Sequence, residues 1–263
     1  MLDVTTVIVA KDEERTIGQV LSAARTLSDQ IILVDSGSSD RTLTIARQSG
    51  VSCYEQEWLG YAAQKNYAIS LAQSNWILSL DADEVLSPEL VAEIKQVLAK
   101  TVPDQVEGFK IPRRLYIGVT AITHGGYYPD AQLRLFRRGK GLFNDRKVHE
   151  AVQVKGKVQM LENAMLHYAY PDFDAYAKAM DKYARLSAEE FAKRSSVEAA
   201  GPLMWWRTSR LNEALHPLWT LFFRFICRGG FLDGESGLTA NLIYRDYVRK
   251  KIVYLRELLV DKR

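Results

Sequence analysis

Three acids close an apolar run in WILSLDADEVL, residues 76–86: Asp81, Asp83 and Glu84. Side chains alternate along a strand, so Asp81 and Asp83 can share one side while Ala82 points away. Two carboxylates on one side suit a hard divalent cation, which takes oxygen ligands and keeps positions open for phosphate. Mn2+ or Mg2+ bridging a diphosphate would supply the missing positive charge and stabilise a departing nucleotide. The competing reading of D-x-D taken alone is an acidic turn that caps the next helix, with Glu84 capping or facing solvent. Asp35 closes a second apolar run, QIILVDSGSSD, where it can also open an Asx turn.

The elements around these acids alternate. VTTVIVA (4–10) reads as a buried strand, and Ile17, Val20, Leu21 and Ala24 then recur with a helical period. QIILVD is a strand, and Ser39 or Asp40 can cap the helix RTLTIARQSG. VSCYEQE, YAAQKNYAISLAQ and WILSLDAD continue as strand, helix and strand, and SPELVAEIKQVLAK opens Ser-Pro as a helix N-terminus. Four β–α units in about 100 residues predict a mostly parallel sheet flanked by helices. Right-handed crossovers bring the C-terminal strand ends to one edge, where ligands bind. Asp35, Asp81 and Asp83 all fall at that edge. From about 107 to 168 short runs separated by Gly, Pro and Asn-Asp turns suit antiparallel strands that finish the sheet. From 172 onward the pattern is helical.

The chain has 263 residues, 47% hydrophobic and 25% charged, enough for one large core or a core with an appendage. A net charge of +3 is too small to argue for nucleic acid. Cys53 and Cys227 lack metal-ligand spacing and read as reduced thiols. MLDVTTVIVAKDEE lacks a basic n-region, so no signal peptide is expected, and no window reaches the apolar length of a spanning helix. The expected location is cytoplasmic, peripheral at the inner face of the membrane. That second part rests on the last 63 residues, which hold eleven Lys/Arg against six Asp/Glu and ten of the 27 aromatic residues, Trp205, Trp206 and Trp219 among them. A basic, aromatic helical segment suits an anionic lipid surface, and equally an appendage packed on the core.

TTVIVAKDEE, ILVDSGSSDRT, GYAAQKNYAI and ILSLDADEVLSPEL, in this order, resemble the nucleotide-sugar half of glycosyltransferase family 2. YYPDAQLRLFRRGKGLFNDRKVHE and HPLWTLFFRFICRGGFLDGESGL resemble the bacterial branch that includes lipopolysaccharide core β-glucosyltransferases. The resemblance implies a Rossmann-like GT-A fold, a nucleotide-diphospho-sugar donor (a UDP-hexose), Mn2+ or Mg2+, and inversion at the anomeric carbon. The implied acceptor is a saccharide or lipid-linked saccharide of the cell envelope. The implied organisation is a GT-A domain over 1–170, with a nucleotide-sugar half at 1–100 and an acceptor half at 101–170, followed by a helical extension over 171–263. One departure is visible: the first motif usually has Asn before Glu, and here Asp12 precedes Glu13.

Residue by residue, the resemblance puts Val9 and Ala10 at the base, Glu13 at a ribose contact and Asp35 as the acid facing uracil N3. Gln64 and Lys65 lie on a helix pointed towards the nucleotide, Asp81 faces the ribose, and Asp83 is the metal ligand. Attack of a sugar hydroxyl needs a carboxylate base on the face opposite the leaving nucleotide. The candidates are Glu150 in KVHE and Asp130 in YPDAQ, with Glu150 ahead because His149 beside it can add a metal ligand or a hydrogen bond near the diphosphate. His124, His167 and His216 read as structural. Arg134, on a strand face with Gln132 and Phe136, can pair bidentately with diphosphate or an anionic acceptor. Arg137 and Arg138 fit better as charges guarding an edge strand.

Two other enzyme classes use similar acids. A D-x-D phosphohydrolase of the haloacid dehalogenase type needs the motif after its first strand, and here it follows the fourth. A sugar nucleotidyltransferase usually has a Gly-rich basic run after the first strand, and VAKDEE has no glycine.

Overall fold

β1 (Val4–Ala10), β2 (Gln30–Asp35), β3 (Ser52–Glu55) and β4 (Trp76–Asp81) are parallel neighbours in the order β4-β1-β2-β3. The helices between them are α1 (Ile17–Arg25), α2 (Thr42–Gln48) and α3 (Tyr61–Ser70). β5 (Glu84–Leu86) then leads to α4 (Pro88–Ala99). The computed structural model that shows this describes residues 2–144, 151–195 and 206–260. Ser87 caps α4 by accepting from the Leu90 N–H at 3.1 Å, with proline at the first turn, as the Ser-Pro pair predicts. For α2, Asp40 accepts from the Thr42 N–H at 2.9 Å.

The strands are apolar on both faces, as strands covered on two sides must be. Val4, Ile8, Leu33, Leu78 and Leu80 pack with Ile17, Val20 and Leu21 of α1 and Leu90 and Ile94 of α4. The alternate residues Val7, Ile32, Val34 and Ile77 pack with Ala62, Ala68 and Ile69 of α3 on the opposite side. The result is three layers.

β6 (Val106–Ile111), β9 (Gln132–Arg137) and β12 (Lys157–Met160) complete a seven-stranded sheet, β12-β6-β9-β4-β1-β2-β3. The expectation of antiparallel strands here needs correction. β9 runs against both β4 and β6, but β12 pairs parallel to β6, so β9 alone opposes the rest. The connection from β9 to β12 contains the β10 (Leu142–Phe143) and β11 (Val152–Gln153) hairpin, and it returns the chain to the end from which β6 starts.

By compactness the chain divides into Met1–Arg114 with Pro129–Tyr168, and Leu115–Tyr128 with Ala169–Arg263. The second unit contains most of β7 (Arg113–Ile117), β8 (Thr120–Ile122), the end of β13 (Met165–Tyr170), and helices α5 (Phe173–Ser195), α6 (Arg210–Phe222) and α7 (Gly234–Val260). Its core joins Ile117 and Ile122 to Tyr176 and Ala240, and Ala188 and Ala192 to Leu255. Among the described residues no helix is long and apolar enough to cross a membrane.

Candidate active site

Parallel register brings the strand ends together: Ala10 lies opposite Asp35, and Val9 lies opposite both Val34 and Asp81. Asp81, the last residue of β4, is gripped by two cations. Lys65 of α3 approaches Oδ1 at 2.5 Å, and Arg134 of β9 donates to Oδ2. Burial alone would push the Asp81 carboxyl up, but Arg134 and Lys65 outweigh it and hold the group well below the usual carboxylate range.

Glu84 turns inward, contrary to its reading as a cap or a solvent-facing acid. It is fully buried, accepts from Arg134 at 2.6 Å and Arg113 at 3.1 Å, and its other oxygen accepts from the Asp81 N–H at 3.0 Å. The buried arginine supplies the reason, since an unpaired charge there would be costly. Arg134 is thus engaged by Asp81 and Glu84, and its Nε is buried with no hydrogen-bond partner among the described residues.

Asp83 faces a histidine. Its Oδ2 lies 3.2 Å from Nε2 of His167, which β13 holds opposite Glu84 in the antiparallel β5–β13 register. The backbone repeats the link, Tyr168 N–H to Asp83 C=O at 2.9 Å. Glu13 adds a third polar group. Burial and the charge of Asp83 raise its carboxyl above the usual range. Asp12 before it is the only non-glycine among the described residues with positive φ, 54°, a conformation that Asn and Asp tolerate best. Its Oδ1 accepts from the Ser39 N–H at 2.7 Å, joining the two loops.

Asp83 and His167 fit a divalent cation. An oxygen and a nitrogen about 3 Å apart match neighbouring ligands at an octahedral Mg2+ or Mn2+ with bonds of about 2.1 Å. Such ions are usually held by one or two protein ligands, with phosphates and water filling the rest. No cluster of three metal-binding side chains occurs among the described residues.

Asp35 and Gln64 are occupied locally. Asp35 is buried and accepts from the N–H groups of Gly37 and Ser38 at 2.9 and 2.8 Å and from the Ser38 hydroxyl at 2.5 Å, an Asx turn. Gln64, also buried, donates to Ser36 Oγ and Gln56 C=O at 3.1 Å each and accepts from Leu59 N–H at 3.2 Å. Asp130 is exposed and bound by Arg113 (Nε to Oδ2, 3.0 Å) and by Gln132 (2.8 Å). Partial desolvation of its half-covered carboxylate opposes this, but Arg113 wins and lowers its proton affinity. Glu150 and His149 lie outside the described residues.

Sequence reasoning read His167 as structural and did not single out Arg113. Both lie in strand-like runs, and strand pairing, which no local spacing encodes, brings them to the acids.

Residues 5–142, just over half of the chain, match the family described as glycosyl transferase family 2. The chain belongs to that family. Membership makes it a sugar-transferring enzyme of the nucleotide-sugar-dependent kind. An uncharacterized glycosyltransferase of Rickettsia felis is 25% identical over 279 residues, covering 100% of this chain and 93% of the relative. A lipopolysaccharide core biosynthesis glycosyltransferase, LpsC, of Rhizobium meliloti is 29% identical over 196 residues, 72% of each chain. A mannosyltransferase from Pyrobaculum calidifontis, solved in complex with GDP-Man and Mn2+, superposes with a TM-score of 0.57 at 15% identity, covering 100% of this chain and 88% of that one. The fold is GT-A: an α/β, Rossmann-like, mostly parallel sheet flanked by helices, with a helical C-terminal extension.

Proposed function

We propose that the protein is a metal-dependent, inverting hexosyltransferase that uses a UDP-hexose and a saccharide or lipid-linked saccharide acceptor in cell-envelope synthesis. The observation that carries this reading is the Asp81–Asp83 pair at the sheet edge, flanked by Lys65, Arg134 and His167. The LpsC relative supports the envelope setting. The named Mn2+ complex of the Pyrobaculum enzyme is in keeping with a metal but, at its low identity, bears only on the fold.

Asp83 and His167, with His149 in reserve, would hold Mg2+ or Mn2+, which supplies positive charge against the diphosphate. Val9 and Ala10 offer backbone to the base, and the loops shaped by Asp35 and Gln64 frame it. Asp81 and Glu13 face the ribose. Lys65 and Arg134 keep Asp81 ionised and set a positive field beside the phosphates. Glu150 takes the proton of the acceptor hydroxyl as its oxygen bonds to the anomeric carbon, and the bond to the nucleotide diphosphate breaks on the opposite face. Asp130 is the weaker base, because Arg113 already neutralises it and lowers its proton affinity.

The test is product analysis with UDP-hexoses and envelope glycolipids. Release of UDP together with a β-linked product from an α-linked donor supports the proposal. Release of pyrophosphate would favour a nucleotidyltransferase, and free phosphate from phosphomonoesters a phosphohydrolase.

A further inference from the structure

Helix α6 is amphipathic, yet it folds with its apolar face outward. Leu211, Leu215, Leu218 and Phe222 recur at i, i+4, i+7 and i+11, one face of a helix. With Trp219 beside them they are 56, 51, 57, 49 and 62% exposed. The buried side chains of this helix are Asn212 and Pro217. What ties α6 to its unit is largely polar: Glu213 accepts from Arg249 at 3.2 Å and Arg256 at 2.6 Å of α7. Phe223 and Ile226 of the π-helical turn that follows (Phe223–Cys227) and Phe231 and Leu232 of a 3-10 turn (Gly230–Asp233) are exposed as well, and Trp219 stacks on Phe223. Large apolar side chains exposed in such number over one segment mark a surface made for another apolar phase.

Two arginines lie among these apolar side chains. Arg224 lies over the rings of Tyr127 and Tyr244, at 4.4 and 3.9 Å, and donates through Nε to Asn241 at 3.2 Å. Arg228 lies over Phe223 at 5.3 Å. Among the described residues neither has a carboxylate partner. Both reach Gly126, where an added Cβ would come within 2.5 Å of Nη1 of Arg228 and 3.5 Å of Nη1 of Arg224. The supporting loop is fixed: the Gly125 N–H bonds Arg228 C=O at 3.0 Å, and the Thr123 and His124 N–H groups bond Asp233 at 2.9 and 2.8 Å. Arg224 is held between two tyrosine rings and bonded to Tyr127 and Asn241, while Arg228 is exposed over Phe223, and guanidinium forks match phosphate.

We propose that this face seats the C-terminal unit on a phospholipid bilayer. In this arrangement α6 lies in the plane of the interface, its Leu, Trp and Phe side chains among the acyl chains, and Arg224 and Arg228 meet headgroup phosphates. Charge complementarity selects this occupant over a second copy of the chain: the apolar face carries two cations that lack acidic partners among the described residues, and phosphate at the edge of an apolar phase is their complement. The proposal deepens the lipid-linked acceptor reading and rests on it.

Flotation with phosphatidylcholine vesicles, with and without phosphatidylglycerol, tests it on the full chain. Capture should be strongest with phosphatidylglycerol and fall about fivefold in Arg228→Gln. It should be lost on both vesicle types in Trp219→Ser/Phe222→Ser, with thermal unfolding of each variant checking that it folds. Soluble glycerol phosphate should not displace the protein. No capture by either vesicle at low salt, capture unchanged in folded variants, displacement by glycerol phosphate, or a wild-type dimer dispersed by Trp219→Ser would each overturn the proposal. UDP binding with Mn2+, measured on the same wild-type samples, separates the two readings: retained binding without capture removes the docking surface and leaves the transferase.

Discussion

Oδ2 of Asp83 and Nε2 of His167 lie 3.2 Å apart, joined across the β5–β13 strand pair. An acid from the D-x-D turn thereby gains an imidazole partner from 84 residues further along the chain.

Asp83→Ala and His167→Ala should therefore fail together. In wild type, UDP at about 100 times its dissociation constant with Mn2+ should add roughly 2.7 kcal/mol of stability. Either variant should lose most of that increment while its unfolding without ligand changes little. Thermal shift with and without EDTA measures it. Equal UDP stabilisation in EDTA for wild type and both variants would remove the metal assignment.

Glu150→Gln keeps the shape of the side chain but cannot accept a proton. Transfer rate should drop about 10²–10⁴-fold with donor affinity little changed. Asp130→Asn, which loosens the clasp of Arg113, should cost less. Single-turnover kinetics with UDP-hexose would rank them, and the opposite order would make Asp130 the base.

Glu84 is the keystone of a buried charge network with Arg134 and Arg113. Glu84→Ala leaves Arg134 buried and short of a partner, a change that typically costs about 3–5 kcal/mol. Urea unfolding should show the loss in the unit that holds the sheet. A cost near zero would mean that Asp81 alone satisfies the arginine.

The pH dependence of the C-terminal unit should carry the mark of Asp233. Burial raises this carboxyl, but hydrogen bonds from His124 and Thr123 outweigh it and leave it below the usual range. A depressed folded value means that the unfolded state binds the proton more tightly. The stabilisation is complete above the unfolded pKa of about 3.9 and drains away as pH falls through the folded value. Unfolding midpoints should drop more steeply below about pH 4 in wild type than in Asp233→Asn.

Much of the fold was legible because it is written in local periodicity. Runs such as VTTVIVA and QIILVD alternate their apolar residues between two covered faces, and β1, β2 and β4 fall where those runs lie. The acids at the strand ends followed from the same logic, since parallel strands joined by right-handed crossovers must end at one edge. Glu84, His167 and Arg113 were not legible in this way. Each has its surroundings set by strand pairing and burial, β5 against β13 and β7 beside β13, and pairing across long sequence separation leaves no local spacing to read. For the C-terminal quarter the sequence announced basic, aromatic helices and left open whether they pack on the core or meet a lipid surface. Only the tertiary structure decided that the face of α6 with Leu211, Leu215, Leu218 and Phe222 points to solvent, while Glu213 turns to Arg249 and Arg256.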